Sequence, residues 1–148
     1  MGDQELKAMT AGLECLPPEN PVFTTAKPLS ESTVAIVSSA TLRHPDQDNY
    51  APHDISFRLL DGRRDDLVLS HWSPGLDSTG FALDHNVVFP IDRLRELESE
   101  GKIGHVSDVH MAFAGNQPQL SGIQLDSGPA GAKILREAGV DVVLLTPV

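Results

Sequence analysis

The stretch from Ser70 to Gly104, SHWSPGLDSTGFALDHNVVFPIDRLRELESEGKIG, sets the class of the fold. It joins the end of an apolar run (DLVLSHW, 66–72) to a polar connection and then to a well-punctuated helix. Pro90 suits the first helical position, Asp92 places an anion in the first turn, and Ile91, Leu94 and Leu97 repeat at helical spacing. Gly101 supplies a left-handed stop. The connection, residues 73–89, is seventeen residues long and rich in Ser, Asp, His and Asn. That is longer than packing needs, which marks it as functional or mobile.

Working outward, TVAIVSSATL (33–42) is β-branched and apolar on both parities, as expected of a strand buried on both faces of a parallel sheet. DLVLSHW reads as a second buried strand, and KIGHVSDVHMAFAGN (102–116) as a third that carries His105 and His110. VDVVLLTPV (140–148) is a last apolar strand. HDISFRLL (53–60) alternates Ile55, Phe57 and Leu59 with polar residues and predicts an edge strand or a short hairpin arm. QPQLSGIQLDSG (117–128) reads as a loop leading to a helix over Pro129–Ala138, with Ser127 as its cap and Gly139 as its stop. Strand, helix, strand, helix, strand implies a three-layer α/β domain with a mainly parallel sheet, Rossmann-like or flavodoxin-like. It spans residues 31–148, behind a Pro-rich arm (1–30) with at most a short helix at Gln4–Leu13.

Composition narrows the partners. Asp and Glu number 21 against 11 Lys and Arg, and the formal charge of −10 is the wrong sign for nucleic acid or an anionic membrane surface. No run approaches the roughly 18 apolar residues of a spanning helix, and no signal peptide is visible, so the chain reads as cytoplasmic. The single cysteine, Cys15, excludes an internal disulfide and a cysteine-based zinc cluster.

Side chains released beyond the carboxyl ends of parallel strands line the ligand crevice of open α/β sheets. Ser70 and His71 follow DLVL, and Thr146, Pro147 and Val148 follow the last strand. His71, Asp77, Asp84, His85 and Asn86 mix imidazole and carboxylate, the donor set of zinc or iron, although their spacing matches no metal motif. Hydrogen-bonded loop residues that shape the crevice are the simpler reading. A Ser-His-Asp triad drawn from Ser70 or Ser73 with His85 or His110 lacks a glycine-flanked nucleophile elbow. Neither GxGxxG nor GxxxxGK is present. Asp92 and Arg93 suit a local pair at the helix start, and Trp72 a lid or core contact.

The run from Asp54 to Val148 resembles the selenoprotein B family of glycine, sarcosine, betaine and D-proline reductases. VAIVSSATL, DISFR, LSHWSPGLDSTGFALDHNVVFPIDRLREL, HMAFAG and GVDVVLLTPV carry the resemblance, in that order. It implies an oxidoreductase domain that cleaves a C–N bond of a small amino-acid-like substrate reductively, with a thiol electron donor and with partner subunits or a homo-oligomer. It also implies crevice residues. His71 and Asp84 are the catalytic candidates, His71 as proton donor or acceptor and Asp84 with Asn86 as clamp. Ser70, Asp77, Asn86, Asp92, Arg93, Phe113 and Gly115 are the substrate-binding ones, and no metal or bound cofactor is expected. His85 departs from the pattern, which has an apolar residue there. In the family a redox selenocysteine or cysteine follows such a terminal strand, and Cys15 does not match that position. The expectation is therefore a chain truncated after Val148, either because a UGA selenocysteine codon was read as stop or because the redox half was lost, which the DNA sequence would test. Two other readings stand beside this one: a non-catalytic small-molecule-binding or regulatory module, and a metal-dependent enzyme using His71, Asp84 and His85.

Overall fold

A computed structural model of the chain describes residues 4, 5, 8, 24–71, 78–115 and 117–148. Cys15, Trp72, Asp77 and most of the expected Gln4–Leu13 helix lie outside them. Among the described residues no helix is long and apolar enough to cross a membrane.

The centre of the molecule is β1 (Thr33–Ser38), a buried strand. On one side it pairs in parallel with β7 (Val142–Thr146), from Val34↔Val142 to Ser38↔Thr146. On the other it meets β5 (His105–Val106) and then β6 (Val109–Phe113), both parallel. β3 (Phe57–Asp61) closes the sheet as an antiparallel edge strand against β6. The chain is thus an α/β protein with a mixed, mostly parallel sheet.

β1 alternates between two cores. Val34 and Ile36 join Phe89 and the helix α2 (Ile91–Ser99), which contributes Ile91 and Leu94. Ala35 and Val37 face Met111, Phe57, Phe113 and Leu135 of α3 (Gly128–Glu137) on the opposite face. Helices therefore cover both faces, giving the three layers that apolar runs on both parities imply. Gly101 and Gly139 end the two helices with φ +69 and +76, in the left-handed region where glycine carries no steric cost.

Several sequence expectations need correction. DLVLSHW is not a buried strand of the main sheet. Only β4 (Val68–Leu69) is extended, half-buried, and pairs antiparallel with β2 (Leu42–Arg43) in a separate ribbon. The cause lies upstream: β1 stops at Ser38, and Thr41 turns the chain at φ 58 while its N–H donates to Phe113 O at 3.0 Å. The run KIGHVSDVHMAF is broken into β5 and β6 because Ser107 Oγ bonds both the N–H and the C=O of Val109, each at 3.0 Å, bulging the chain. At the gap Ile36 N–H has no strand carbonyl and donates to His110 Nδ1 at 2.9 Å. An imidazole thus completes the ladder.

The connection 73–89 contains the helix α1 (Ser78–Leu83) and a 3₁₀ turn, His85–Val87. The C-terminal helical segment begins at Ser121 and passes through a π turn at Ile123–Ser127, so Ser127 lies inside it, buried and without a capping bond. Helical backbone on both sides of Ser127 leaves no free N–H group for it to cap. In β3 it is Leu60 that is buried, whereas Ile55 and Leu59 are exposed. His105 is exposed and pairs with Glu98 at 2.7 Å, while His110 is fully buried.

Candidate functional site

The parallel strands release their carboxyl ends at one edge, and hydroxyls fasten that edge together. Ser38 Oγ and Thr146 Oγ1 both donate to Val88 O at 3.0 Å, holding the lead-in of α2 onto the ends of β1 and β7. Ser39 N donates to Thr146 O at 3.2 Å, and Val148 N donates to Ser39 Oγ at 2.9 Å. A cavity of about 170 Å³ opens between Ser38, Ser39, Phe113, Leu145, Thr146 and Pro147.

Gly115 stands at the centre of this edge. A Cβ there would lie 2.7 Å from Ser39 O, 3.4 Å from His71 Nε2 and 3.6 Å from Val148 O. The close main chain of Ser39 is what requires glycine here, and the imidazole of His71 lies at about contact distance from the same position, beside the strand ends. His71 thus reaches the carboxyl edge of the main sheet although the strand before it belongs to the small ribbon. Its burial shifts its pKa below the ordinary histidine value, which favours the neutral ring.

A second group of the expected residues gathers at the start of α2. Asp84 accepts from Asn86 N at 2.9 Å and from Asn86 Nδ2 at 2.8 Å. Asn86 Nδ2 also donates to Asp92 Oδ2 at 2.9 Å, and its Oδ1 accepts from Asp92 N at 3.0 Å. Asn86 therefore bridges two carboxylates and caps one orphan N–H of the helix. The Asn86 main-chain N–H holds the Asp84 carboxyl below the usual range, and the Asn86 amide, with Arg95, does the same for Asp92. His85 Nε2 lies 3.5 Å from Asp92 Oδ2. This cluster joins the strand-end edge through Val88, two residues beyond Asn86.

The remaining candidates sit apart. Ser70 Oγ accepts from Arg43 Nε at 2.9 Å, and Arg93 is exposed and pairs with Glu96 at 2.9 Å. Phe113 lines the cavity and stacks at a tilt on Phe57, with centroids 5.6 Å apart. His44 is buried and already satisfied, its Nδ1 bonded to Asp66 and its Nε2 accepting from Asp61 N. Among the described residues no three His, Cys, Asp or Glu side chains gather as a metal-ligand set. Ser38 and Ser39 were missed in the sequence as site residues. Their one signal was a pair of hydroxyls ending a strand that is otherwise apolar.

The family model for glycine/sarcosine/betaine reductase selenoprotein B matches residues 13–148. The chain is 36% identical over 130 residues to D-proline reductase subunit gamma of Acetoanaerobium sticklandii, covering 85% of the chain and 53% of that subunit. It is 33% identical over 138 residues to glycine reductase complex component B subunit gamma of Carboxydothermus hydrogenoformans, covering 87% and 30%. A sarcosine reductase complex component B subunit beta of Peptoclostridium acidaminophilum is 30% identical over 138 residues, again covering 87% and 30%. The chain thus spans about half the length of the first of these relatives and under a third of the other two. No solved structure matches it significantly.

Proposed function

Because the chain belongs to the glycine/sarcosine/betaine reductase selenoprotein B family, we propose that the carboxyl edge of β1, β6 and β7 is one wall of a reductase site for a small amino-acid-like substrate. The observation that carries the reading is the approach of His71 to Gly115, beside Ser39 and Val148. The names of relatives, D-proline, glycine and sarcosine reductase subunits, support an amino-acid-like substrate class.

Reductive cleavage of a C–N bond consumes two electrons and two protons. The carbon gains a hydrogen, the nitrogen leaves as an amine, and a dithiol donor is oxidised to a disulfide. A selenol or thiol in the residue after Val148, where the family resemblance implies one, would supply the nucleophile. Its bond to carbon would form as the C–N bond breaks. One donor thiol would then attack the chalcogen so that the carbon leaves and takes up a proton, and the second thiol would close the donor disulfide and free the chalcogen. Support for such a residue at this edge comes from the held Val148 amide and from the cavity between Ser39, Leu145 and Pro147. The neutral ring of His71 would take the proton of the chalcogen and return it to the leaving nitrogen, since general acid–base catalysis favours a group that titrates near the working pH. Asn86 would hold Asp84 and Asp92 in place, so that the carboxylates form the anionic rim that meets a substrate ammonium group.

The test is a chain extended past Val148 with cysteine at position 149, assayed with dithiothreitol for reduction of D-proline, glycine, sarcosine and betaine. At least one should turn over, and His71→Ala should lower kcat about a hundredfold. A folded, extended protein that reduces none of the four would contradict the reading.

A further inference from the structure

The two edges of the sheet are finished differently. At one edge β3 carries Arg58, whose guanidinium donates to Asp48 O at 3.0 Å and Asn49 O at 3.1 Å and lies 4.2 Å from the Tyr50 ring centroid. Asp61 ends that strand in an ion pair with Arg63 at 2.8 Å. Charged groups of this kind keep an edge from pairing further. At the other edge β7 reads VVLLT, with no charge, proline or bulge.

Among the described residues, β1 is the strand that pairs with β7. Thr146 O accepts from Ser39 N, so the main-chain groups of Val142, Leu144 and Thr146 face β1. By alternation those of Val143 and Leu145 face outward. The side chains are open as well: Leu145 is 69% exposed, Leu144 38% and Val143 37%. Parallel strands are normally covered on both faces, which makes an apolar, parallel, uncovered strand an unfinished edge. Beside it an open groove of about 510 Å³ runs between α3 and the sheet, lined by Val37, Met111, Phe113, Leu135, Val140 and Val143. Val143 belongs to both, so edge and groove form one continuous apolar surface.

We propose that the outer edge of β7, with this groove, is the docking site for an apolar β-strand from polypeptide of the kind that makes up the unmatched part of the relatives. The added strand would bond the outward N–H and C=O groups of Val143 and Leu145 and lay alternate apolar side chains toward the groove. The relatives supply the argument for this occupant, because D-proline reductase subunit gamma is matched over only 53% of its length. The other 47% of that subunit lies outside the match, 100% less the 53% covered. A second copy of this chain is disfavoured by its formal charge of −10, which repels like surfaces. The inference rests on the exposed edge and on family membership; Leu145 and Phe113 also line the cavity of the proposed reductase site, so the test reads amide exchange and complex formation rather than turnover.

Amide exchange of the isolated chain, followed by NMR, tests the first half. Val143 and Leu145 should exchange at least about 100-fold faster than Leu144, whose amide faces β1. Co-expression with the unmatched part of D-proline reductase subunit gamma from Acetoanaerobium sticklandii tests the second. An equimolar complex should form, slow the exchange of both outward amides, and be lost in Leu145→Lys, while that variant keeps its thermal midpoint. Slow exchange of Val143 and Leu145 in the isolated monomer would overturn the proposal. So would their protection in a homodimer, a failure of the two polypeptides to copurify, or a complex indifferent to Leu145→Lys.

Discussion

Gly115→Ala is expected to destabilise the fold by about 3 kcal/mol, lowering the thermal midpoint by roughly 10 °C. The new Cβ would sit 2.7 Å from Ser39 O, a main-chain atom rather than the tip of a flexible side chain. Ser39 cannot step back easily. Its N–H donates to Thr146 O and its hydroxyl accepts from Val148 N, so relief of the clash requires the ends of β1, β6 and β7 to part. The same movement would carry His71 away from the strand ends. Gly80→Ala is the internal control, because a Cβ there meets only Val87 Cγ2 at an ordinary 3.8 Å. It lies in α1, where alanine is the better helix former, and should be neutral or slightly stabilising. Urea unfolding of both variants checks the pair. A Gly115→Ala protein within about 0.5 kcal/mol of the parent would show that the strand ends are free to separate.

Acid should destabilise the protein well before its carboxylates titrate. His110 is fully buried, accepts the Ile36 N–H through Nδ1 and meets the Phe89 ring edge-on at 5.3 Å between centroids. Burial pushes its pKa down to about 4. In the unfolded chain the same ring titrates near 6.5, so between about pH 6.5 and pH 4 the unfolded state binds the extra proton. Stability therefore falls as pH falls through that window, by up to about 3 kcal/mol from His110. It is level with respect to this group above pH 6.5 and again below pH 4. His71, also lowered by burial, adds to the loss with the same sign. The aspartates act lower: Arg64 holds Asp66 at about 2, so its contribution disappears only below the ordinary carboxylate range. Urea unfolding at pH 7, 5.5 and 4.5 should show the slope, and His110→Gln should flatten most of it. At pH 7 His110→Leu should cost about 1–3 kcal/mol, since Ile36 N–H would be left buried without an acceptor. Equal stability of the parent protein at pH 7 and pH 4.5 would contradict this account.

How much of this could be read in advance depended on how local its cause was. Val34–Val37 and Val142–Leu145 announce strands because both faces of a parallel sheet are apolar, and α2 is legible from Pro90, its apolar stripe and Gly101. The ribbon of β2 and β4 was not, because its partners come together through the left-handed Thr41, a residue with no glycine-like signature. The split between β5 and β6 turns on Ser107 folding back onto Val109, which an apolar count passes over. The site was legible to the same degree. Gly115 and Asp92 entered the candidate site only through the family resemblance, whereas His71 stood out by its type after an expected strand, and Asp84 and Asn86 as polar donors in a long connection. Ser39 did not, since its hydroxyl meets the main chain of a residue 109 positions away. Ser70 was drawn off by Arg43, from a part of the chain where no partner was sought.

The central claim is that His71 and Gly115 belong to a site for small amino-acid-like substrates, and NMR of the protein labelled at histidine and glycine tests it most directly. The His71 ring should titrate below 6.5, and its Cε1–H and the Gly115 amide should shift together and saturably as D-proline, glycine, sarcosine or betaine is added. An ordinary pKa for His71, with all four compounds leaving both signals unmoved, would contradict it.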